Sequence, residues 1–371
     1  MNKHLFIAVT TDLNTDQRMQ KTALSLHRAG YIVHLLGRKL PQSQALSSTP
    51  YTQSRLNLWF HKGPLFYAEF NLRLWLFALI ARADAFTAVD TDSLPALRLA
   101  ALMRRKPLIW DAHEIFTGVP ELARRPFVRH FWQLIEQLLL PGIRHSYTVS
   151  EGVAEWYAKR HGLCMQLVYN MPLAQNPTPQ AGGSAYLLYQ GAVNVGRGLP
   201  TLLQTLSRHH LPLVIAGGGG ILQTLKDEVR RLKLEDRVTF TGSLQPDSLR
   251  ALTRDAFIGL NLLDGESPNY RHSLANRFFD FVQAGIPQIS MNFESYRRFN
   301  DQFEVAILLD STDADSVSQA ILNLVNDPDL YNRLRHQCRV AAEQWSWEAT
   351  CEPVLLSIYR NATHAHATIN S

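Results

Sequence analysis

The sequence predicts an α/β protein made of two Rossmann-like halves, and three features of its 371 residues predict it. Short apolar segments alternate with helical stretches, which is typical of parallel sheets covered by helices. The chain is too long for one hydrophobic core and fits two domains of ordinary size. Residues 173–184 are rich in proline and glycine and indicate a linker between two such series. We therefore expect Rossmann-like domains over residues 1–172 and 185–345.

Apolar segments in each half predict the strands. In the first half they are residues 5–9, 32–36, 85–89, 108–110 and 147–149, with a helix over 17–29 between the first two. In the second half they are residues 186–189, 213–216, 238–240, 258–262 and 288–290. We expect each series to form one parallel sheet.

Composition and charge limit the classes of protein that fit. The apolar content of 46% favours globular folding over disorder. The net charge of +5 and the pI near 9.1 suit anionic partners such as nucleotide phosphates or an anionic lipid surface, and we expect no nucleic-acid partner. Cys164, Cys338 and Cys351 share no metal-ligand spacing, so we expect reduced thiols in a cytoplasm.

Three segments bear on membrane contact. The apolar residues 5–9 are too few for a signal peptide, because polar Thr10 follows at once. Residues 74–81 are far shorter than the roughly 20 apolar residues of a membrane-spanning helix. Residues 124–140 form a basic amphipathic segment that can lie on an anionic membrane, although an apolar helical face is more often part of a core. We expect a cytoplasmic protein, either soluble or peripheral on the inner face of the membrane.

The most informative segment is residues 273–287, where a polar loop leads into a helix that ends at Gly285. Residues 265–272 before it are too polar for a core and indicate an exposed loop. The helix should begin near residues 274–276, where unpaired backbone N–H groups and the positive dipole end favour phosphate. Asp280, one turn further on, is either an acceptor for sugar hydroxyls or a solvated acid on an ordinary helix.

Two glycine-rich loops in the second half are further candidates for anion binding. In the first, Gly191, Gly196 and Gly198 allow a ligand close to the backbone, and Arg197 offers a forked cation to phosphate oxygens. The alternative is a glycine turn with a surface arginine. The second loop, residues 217–220, is not a dinucleotide fingerprint, which belongs in the first βαβ unit of a chain.

In the first half, Asp111, His113 and Glu114 lie at the end of a predicted strand. The carboxyl ends of strands form the edge where open α/β sheets bind ligands. A single histidine is usually structural, but three ionisable groups within four positions favour a functional site.

The segment 273–287 resembles the donor loop and helix of family-four retaining glycosyltransferases. The family pattern is Ser-Leu-Pro-Asn-(Lys/Arg)-(Phe/Leu)-(Phe/Tyr)-Glu-Tyr followed by Ala-Gly-x-Pro. This chain has Ser-Leu-Ala-Asn-Arg-Phe-Phe-Asp-Phe followed by Ala-Gly-Ile-Pro, with Asp280 as a conservative replacement for the Glu. The resemblance implies the GT-B fold, in which two Rossmann-like domains face each other across a cleft. The family usually carries two acids eight residues apart; His272 and Asp280 stand at those positions here, and Glu266 in the same loop is a candidate substitute for the first acid. The donor-binding residues implied by the resemblance are Glu266, His272, Ser273, Leu274, Ala275, Asn276 and Arg277.

Other second-half loops resemble the same family. Residues 190–199 resemble its Gly-x-x-x-x-x-Arg-Gly loop, which implies that Arg197 contacts the donor diphosphate, with Arg277 as the second cation. Gly217 and Gly218 resemble the Gly-x-Gly that lines the nucleotide cleft. Gly242 ends a Val-x-Phe-x-Gly strand, whose backbone commonly meets the base.

The first half resembles a subgroup of that family with Trp-Asp-x-His-Glu-x-Phe-Thr-x-x-Pro-Glu. The resemblance implies that His113 contacts the transferred sugar and that Asp111 or Glu114 contacts the acceptor. It also implies a final helix, residues 346–362, that crosses back to the first domain. A further subgroup feature is a loop on the acceptor side that contains Thr10, Asp12, Asp16 and Arg18, although Asp16 could equally cap a helix.

The activity implied by this resemblance is retaining transfer of a hexosyl group from a UDP- or GDP-sugar to a hydroxyl acceptor. A lipid-linked glycan would suit as acceptor, in cell-surface polysaccharide or glycolipid synthesis. Arg197, Arg277 and the helix start would stabilise the leaving diphosphate without a metal or any cofactor besides the donor. Asp90-Thr-Asp92 has the form of a metal-binding pair but lies in the wrong half. Two alternatives are a sugar-nucleotide epimerase of the same fold and a catalytically silent binding protein, which His272 favours.

Overall fold

In the computed structural model, residues 2–119, 122, 125–175 and 186–364 are described, and they form two compact units. The first unit contains the described residues up to Asn170 and those from Cys351 onward, and the second contains the described residues of Met171–Thr350. Most of the expected linker, residues 176–184, lies outside the described residues. Within the described ranges no helix is both long and apolar enough to cross a membrane.

The first unit is built on a parallel sheet whose strand order is β3-β2-β1-β4-β5-β6-β7. Its strands are β1 (His4–Ala8), β2 (Ile32–Arg38), β3 (Thr52–Leu56), β4 (Ala85–Val89), β5 (Leu108–Ala112), β6 (His145–Thr148) and β7 (Gln166–Leu167). The predicted strands of this half are confirmed, whereas β3 and β7 were missed. Both missed strands lie at sheet edges, where no apolar alternation is required.

Helices cover both faces of this sheet. They are α1 (Gln17–Arg28), α2 (Gly63–Ile80), α3 (Asp90–Met103), α4 (Pro126–Leu139), α5 (Glu151–His161) and the C-terminal helix Glu352–His364. Helix α3 packs against both α2 and α4, so these three helices form one layer. The C-terminal helix packs with α1 on the other face, where the Tyr359 and Thr87 hydroxyls share a 2.9 Å hydrogen bond.

The segment 124–140 corrects one expectation. We favoured a core helix, but α4 buries only Trp132 and Glu136, and its phenylalanine and leucine side chains are largely exposed. The orientation follows from the buried acid: Glu136 accepts hydrogen bonds from the hydroxyls of Thr91, Thr117 and Tyr157. Burial raises the pKa of Glu136 to about 7, in spite of these hydrogen bonds. Because the polar residue faces inward, the apolar stripe faces solvent.

The second unit contains a parallel sheet with strand order β10-β9-β8-β11-β12-β13. Its strands are β8 (Leu187–Gln190), β9 (Leu213–Ala216), β10 (Val238–Gly242), β11 (Ile258–Asn261), β12 (Gln288–Met291) and β13 (Ala306–Leu309). The predicted strands are confirmed. Strand β13 was missed, although its run of apolar residues carried the signal.

The helices of the second unit follow the strands in alternation. They are α6 (Leu199–Thr205), α7 (Leu222–Arg231), α8 (Pro246–Asp255), α9 (Pro268–His272), α10 (Asn276–Ala284), α11 (Glu294–Asn300), α12 (Ala314–Asn326) and α13 (Pro328–Gln344). Helix α10 begins and ends where the sequence predicted, and Gly285 closes it in the left-handed conformation, with φ of 70°.

Each sheet has one point where the strand order reverses. In the first unit the chain leaves β1 toward β2 but leaves β4 toward β5, so the reversal lies between β1 and β4. In the second unit it lies between β8 and β11. Loops diverge at such a point and leave a crevice at the carboxyl ends of the strands, where α/β proteins bind ligands. These two crevices are therefore the candidate ligand-binding sites.

Candidate functional site

The crevice of the second unit is lined by glycine backbone. Gly191 has φ of 125° and Gly217 has φ of 148°, a region that L side chains rarely adopt. A Cβ atom on Gly217 would overlap the carbonyl group of Gly191, so the loops after β8 and β9 touch through bare backbone. Beside them lies a cavity of about 220 Å³, lined by Gly191, Ala192, Ala216, Gly217, Gly218, Ser243, Leu244 and Leu249.

Arg277 projects from the first turn of α10 into the wall of this crevice and is 5% exposed. Its Nε donates to Asn261 Oδ1 at 2.8 Å, and its Nη1 donates to the Gln190 carbonyl oxygen at 3.1 Å. The guanidinium lies over the Tyr189 ring, 4.8 Å from the centroid. Its buried Nη2 has no hydrogen-bond partner among the residues that the structure describes. A buried cationic N–H without a partner is costly, and an anionic ligand would satisfy it.

Arg197 lies in the glycine loop itself and is half-buried. Its guanidinium stacks on the Tyr270 ring at 4.5 Å, and its buried Nε makes no hydrogen bond within the described ranges. The Tyr270 hydroxyl donates to the Val195 carbonyl oxygen at 3.2 Å. The two loops that follow β8 and β11 are therefore packed together at the crevice.

This packing corrects the expectation of an exposed loop over residues 265–272. That segment contains α9, in which Asn269 and Tyr270 are buried. Pro268 stands at the start of the helix, where its fixed φ is favourable, and Tyr270 gains burial under the glycine loop. The segment is so polar that its composition did not predict this short helix, in which Tyr270 is the buried aromatic residue.

Asp264 was missed by the sequence analysis. Its N–H donates to the Gly196 carbonyl oxygen at 2.9 Å, and a Cβ atom on Gly196 would lie 2.5 Å from its carboxylate. Burial and the neighbouring Glu266 carboxylate raise the pKa of Asp264, and Arg197 opposes the shift. Its position directly after the apolar run of β11 was the available signal.

The remaining donor-side candidates occupy different environments. Asp280 is half-buried and accepts a 2.9 Å hydrogen bond from Gln190 Nε2, at the end of β8. Glu266 is exposed, His272 and Ser273 are half-buried, and Leu274 is buried. Gly198 adopts φ of 66° directly before α6, and Gly242 adopts φ of 68° at the end of β10.

The start of α10 partly corrects the expected anion site. The N–H of Ala275 donates to the Tyr296 hydroxyl at 3.0 Å, so it is not available to a ligand. The N–H groups of Leu274 and Asn276 make no hydrogen bond with other described residues. These two N–H groups and the Arg277 side chain remain able to donate hydrogen bonds to an anionic ligand at this turn.

The crevice of the first unit contains a buried ionic network at the end of β5. Asp111 is fully buried, and its two oxygens accept hydrogen bonds from Arg18 Nη2 at 3.0 Å and from His113 Nε2 at 2.9 Å. Burial opposes the negative charge, but Arg18 and His113 outweigh it and lower the pKa of Asp111 to about 2. The Asp111 carboxylate thus orients Arg18 and His113, and the contact of Asp111 or Glu114 with an acceptor stays a prediction.

His113 is 22% exposed and is held by two carboxylates. Its backbone N–H donates to Asp90 Oδ1 at 2.7 Å, and its Nδ1 lies 3.7 Å from Asp90 Oδ2. Burial opposes a charge on the ring, yet Asp111 and Asp90 together raise the pKa of His113 to about 9. The 3.0 Å approach of Arg18 Nε to His113 Nε2 would require an unprotonated Nε2. The two carboxylates favour the imidazolium, whose Nε2–H donates to Asp111, so we expect His113 to be a cationic donor at neutral pH.

Asp92 and Arg38 are further residues that the sequence analysis missed. Asp92 follows β4 and is 8% exposed, and its Oδ2 accepts a 2.6 Å hydrogen bond from Thr10 Oγ1. Burial and the nearby Asp90 carboxylate raise the pKa of Asp92 to about 7, which Thr10 and Arg38 oppose. Asp92 Oδ1 and Arg38 Nε are buried without partners in the part of the chain that the structure describes. The Asp90-Thr-Asp92 motif had been considered only as a metal site.

Other acceptor-side candidates have structural roles. Asp12 forms an ion pair with Arg55 at 3.1 Å, and Asp16 caps α1 by accepting the Met19 N–H at 3.0 Å. Arg18 is 4% exposed and also donates to the Val168 carbonyl oxygen. Glu114 is half-buried. The crevice of the first unit thus brings together Thr10, Asp92 and His113, and it leaves Asp12 and Asp16 to hold the backbone.

The raised pKa of His113 predicts a pH-dependent stability. A group whose pKa is raised on folding stabilises the protein fully below its unfolded pKa of 6.5 and loses that effect as the pH rises through about 9. Between pH 6.5 and about pH 9, the free energy of unfolding should therefore fall in both proteins by different amounts. The decrease should be larger in the wild type than in His113→Asn, by about 1–3 kcal/mol. Chemical denaturation of both proteins across this range measures the difference, and parallel profiles would contradict the ionic network.

Comparison with known proteins adds family and fold. Residues 17–171 match the family model described as Glycosyltransferase Family 4, and residues 174–345 match the model described as Glycosyl transferases group 1. No significant match was found among curated protein sequences.

Several solved structures share the fold at low sequence identity. Sucrose-phosphate synthase from Thermosynechococcus elongatus superposes with a TM-score of 0.78 at 16% identity, covering 98% of this chain and 100% of that one. HepE from Anabaena, solved in complex with UDP and glucose, gives 0.72 at 11% identity, with coverage of 99% and 100%. WaaG, a glycosyltransferase involved in lipopolysaccharide biosynthesis, gives 0.72 at 12% identity, with coverage of 96% and 99%.

Proposed function

Because the chain belongs to the glycosyltransferases of group 1 and family 4 and has the GT-B fold, we propose that it is a retaining hexosyltransferase. Its donor would be a UDP- or GDP-sugar and its acceptor a hydroxyl group. The observation that carries the proposal is the pair Arg197 and Arg277, each with a buried N–H that lacks a partner among the described residues, beside the glycine loop of the second unit.

The second unit would bind the donor. The unpartnered N–H groups of Arg197 and Arg277 suit diphosphate oxygens, and the glycine backbone admits a phosphate without steric conflict. The cavity beside Gly218 and Ser243 would take the base. Asp280, fixed by Gln190, would accept hydrogen bonds from hydroxyls of the sugar. HepE from Anabaena in complex with UDP-glucose, which shares the fold, supports this assignment.

The first unit would supply the acceptor side. Thr10 and Asp92 offer a hydroxyl and a carboxyl group at the carboxyl edge of the sheet, and both suit recognition of hydroxyl groups. His113, as a cation, would donate a hydrogen bond to the sugar as it transfers. A lipid-linked glycan in cytoplasmic synthesis of cell-surface polysaccharide or glycolipid is the acceptor class that we propose.

The proposed chemistry is transfer on one face of the sugar. The acceptor oxygen attacks the anomeric carbon from the side of the leaving diphosphate, the bond to the diphosphate oxygen breaks, and that oxygen takes the acceptor proton. Such a reaction needs positioned substrates and stabilised charge on the leaving group more than a protein base. Arg197, Arg277 and the free N–H groups at the start of α10 would provide that stabilisation.

A two-stage experiment tests the function. Purified protein is first screened by thermal shift against UDP-, GDP- and other nucleotide-sugars, and the best ligand is then incubated with and without hydroxyl acceptors. Nucleoside diphosphate release that depends on an acceptor supports transfer. A changed sugar nucleotide without acceptor would show an epimerase, and ligand binding with no product in any mixture would show a silent binding protein.

Turnover should persist in EDTA, because arginines and backbone N–H groups are proposed to meet the charge on the leaving diphosphate. The measurement is acceptor-dependent release of the nucleoside diphosphate before and after EDTA is added. A parallel sample receives Mg²⁺ or Mn²⁺ after chelation. Activity that disappears with EDTA and returns with either metal would contradict the proposed phosphate site.

A further inference from the structure

A buried carboxylate on α4 connects three other segments of the first unit. Glu136 is 1% exposed. Its Oε1 accepts hydrogen bonds from the hydroxyls of Thr91 at 3.2 Å and Tyr157 at 3.4 Å, and its Oε2 accepts one from Thr117 at 3.2 Å. These hydroxyls belong to the start of α3, to α5 and to the short helical turn Phe116–Gly118. One carboxylate therefore holds all three segments against α4.

The hydroxyl of Thr91 links Glu136 to the crevice of the first unit. Thr91 lies between Asp90 and Asp92 in the sequence, and Asp90 accepts the His113 backbone N–H at 2.7 Å. Asp90 adopts φ of 56°, a left-handed conformation that is uncommon outside glycine and persists only where the surrounding structure holds it. The hydrogen bond from Thr91 to Glu136 is one of the contacts that hold this turn.

The other two hydroxyls hold the backbone that follows β5. Thr117 is three residues after Glu114 and donates directly to Glu136. The Tyr157 hydroxyl accepts the Phe116 N–H at 3.3 Å. It also lies 3.2 Å from the Glu114 carbonyl oxygen, so its one proton serves either that carbonyl or Glu136. The position of the backbone that carries Glu114 therefore depends on the Glu136 carboxylate.

The negative charge of Glu136 is unfavourable for folding. Burial raises its pKa although the three hydroxyls and Arg160 of α5 oppose the shift, so the carboxylate form costs stability. His161 of α5 does not neutralise it: its Nε2 lies 3.8 Å from Glu136 Oε2, and burial and Arg160 lower the pKa of His161. A costly charge that holds the segments around a candidate site indicates a role in positioning that site rather than in stability.

We propose that Glu136 is a positioning residue for the crevice of the first unit. Its carboxylate fixes the start of α3 and the turn after β5, and so sets the contacts of Asp90 with the backbone N–H and the ring of His113. This part of the proposal does not depend on any reaction. The consequence for sugar transfer rests on the proposed function, because a displaced His113 would no longer meet the sugar in the geometry of the transition state.

The pKa of His113 tests the positioning without any substrate. An NMR titration of the imidazole, assigned by comparison with His113→Asn, should give a pKa of about 9 in the wild type. Glu136→Leu and Thr91→Val each remove the hydrogen bond that holds the turn at Asp90, so the pKa of His113 should fall in both. Glu136→Gln keeps the shape and one oxygen acceptor and should give an intermediate value. The wild-type pKa in all three variants would overturn the proposal.

Turnover and stability at pH 8 separate positioning from a general structural role. Glu136→Leu should lower acceptor-dependent turnover by at least about tenfold, with unchanged affinity for the nucleoside diphosphate, and Glu136→Gln should restore part of the turnover. Glu136→Gln should melt no lower than the wild type, because it removes a buried charge. Thr91→Val leaves Glu136 two of its three hydroxyl donors, so it covers the case in which Glu136→Leu does not fold.

A buried threonine elsewhere in the first unit is the matched control. Thr363 lies in the C-terminal helix and its hydroxyl donates within that helix, so Thr363→Val should equal the wild type in every measurement. Equal losses of melting temperature, diphosphate affinity and turnover in Glu136→Gln would overturn the proposal in favour of a structural acid. A wild type that transfers to no acceptor would contradict the proposed function, and the titration of His113 would still decide the role of Glu136.

Discussion

Replacing His113 with alanine is expected to lower sugar transfer by roughly 10²-fold or more while leaving affinity for the bare nucleoside diphosphate nearly unchanged. The reason is that the residues proposed to bind the diphosphate and the residue proposed to contact the sugar belong to different units. The candidate diphosphate contacts, Arg197 and Arg277, belong to the second unit, whereas His113 belongs to the first. A cationic donor that contacts the sugar only as it transfers contributes to turnover and not to diphosphate binding.

Three measurements on the His113→Ala protein distinguish this role from a structural one. They are the melting temperature, the affinity for the nucleoside diphosphate by calorimetry, and acceptor-dependent turnover. His113→Asn is the matched variant, because it keeps a polar side chain but cannot carry the charge. Loss of the ionic network should lower the melting temperature in either case, whereas a purely structural histidine would also reduce diphosphate affinity and turnover alike. Near-normal turnover of His113→Ala would refute the role proposed here.

Arg197→Ala is expected to weaken binding of the donor and of the nucleoside diphosphate by about 1.5–3 kcal/mol, through loss of a charge-assisted phosphate contact. The fold should tolerate the change, since Arg197 is half-buried and stacks on Tyr270 without a hydrogen bond from its Nε among the described residues. Calorimetric titration with the diphosphate measures the effect.

Two control variants show whether the effect of Arg197→Ala is specific to its position and to its guanidinium group. Arg208→Ala removes an arginine of the same unit that pairs with Asp315 on the surface, and its affinity for diphosphate should equal that of the wild type. Arg197→Lys keeps the charge but loses the forked geometry, so it should fall between the wild type and the alanine variant. Affinity that is the same in Arg197→Ala and the wild type would remove the basis for the donor site.

Much of the fold could be predicted because burial leaves a pattern in the sequence. The central strands are buried along their whole length and mostly apolar, and the end of α10 is marked by a glycine in the left-handed conformation. The edge strands β3 and β7 carry no such pattern, because a strand at the edge of a sheet is not covered on all sides. Helix α9 was hidden for a related reason, since only Tyr270 anchors it under the glycine loop.

The candidate site divides in the same way. Sequence motifs were enough to select Arg197, Arg277 and His113, because glycine loops, helix starts and strand ends have local signatures. They could not show that Asp111 is buried against Arg18, nor that Asp264, Asp90 and Asp92 lie in the crevices. The partners in these pairs come from distant parts of the chain. The residue type alone does not show whether a carboxylate faces solvent or a buried arginine.

The sequence by itself determined the fold class, the family and the positions of the two loops proposed to hold the donor, because local patterns of apolar residues, glycines and charges specify them. Only the tertiary structure decided which charged groups are partnered and which side of α4 faces outward. Its apolar stripe is compatible with a core or a surface, and the choice depends on Glu136, which Thr91, Thr117 and Tyr157 hold inside. Those hydroxyls come from three other segments of the chain, so the orientation of the helix follows from packing and not from its own sequence.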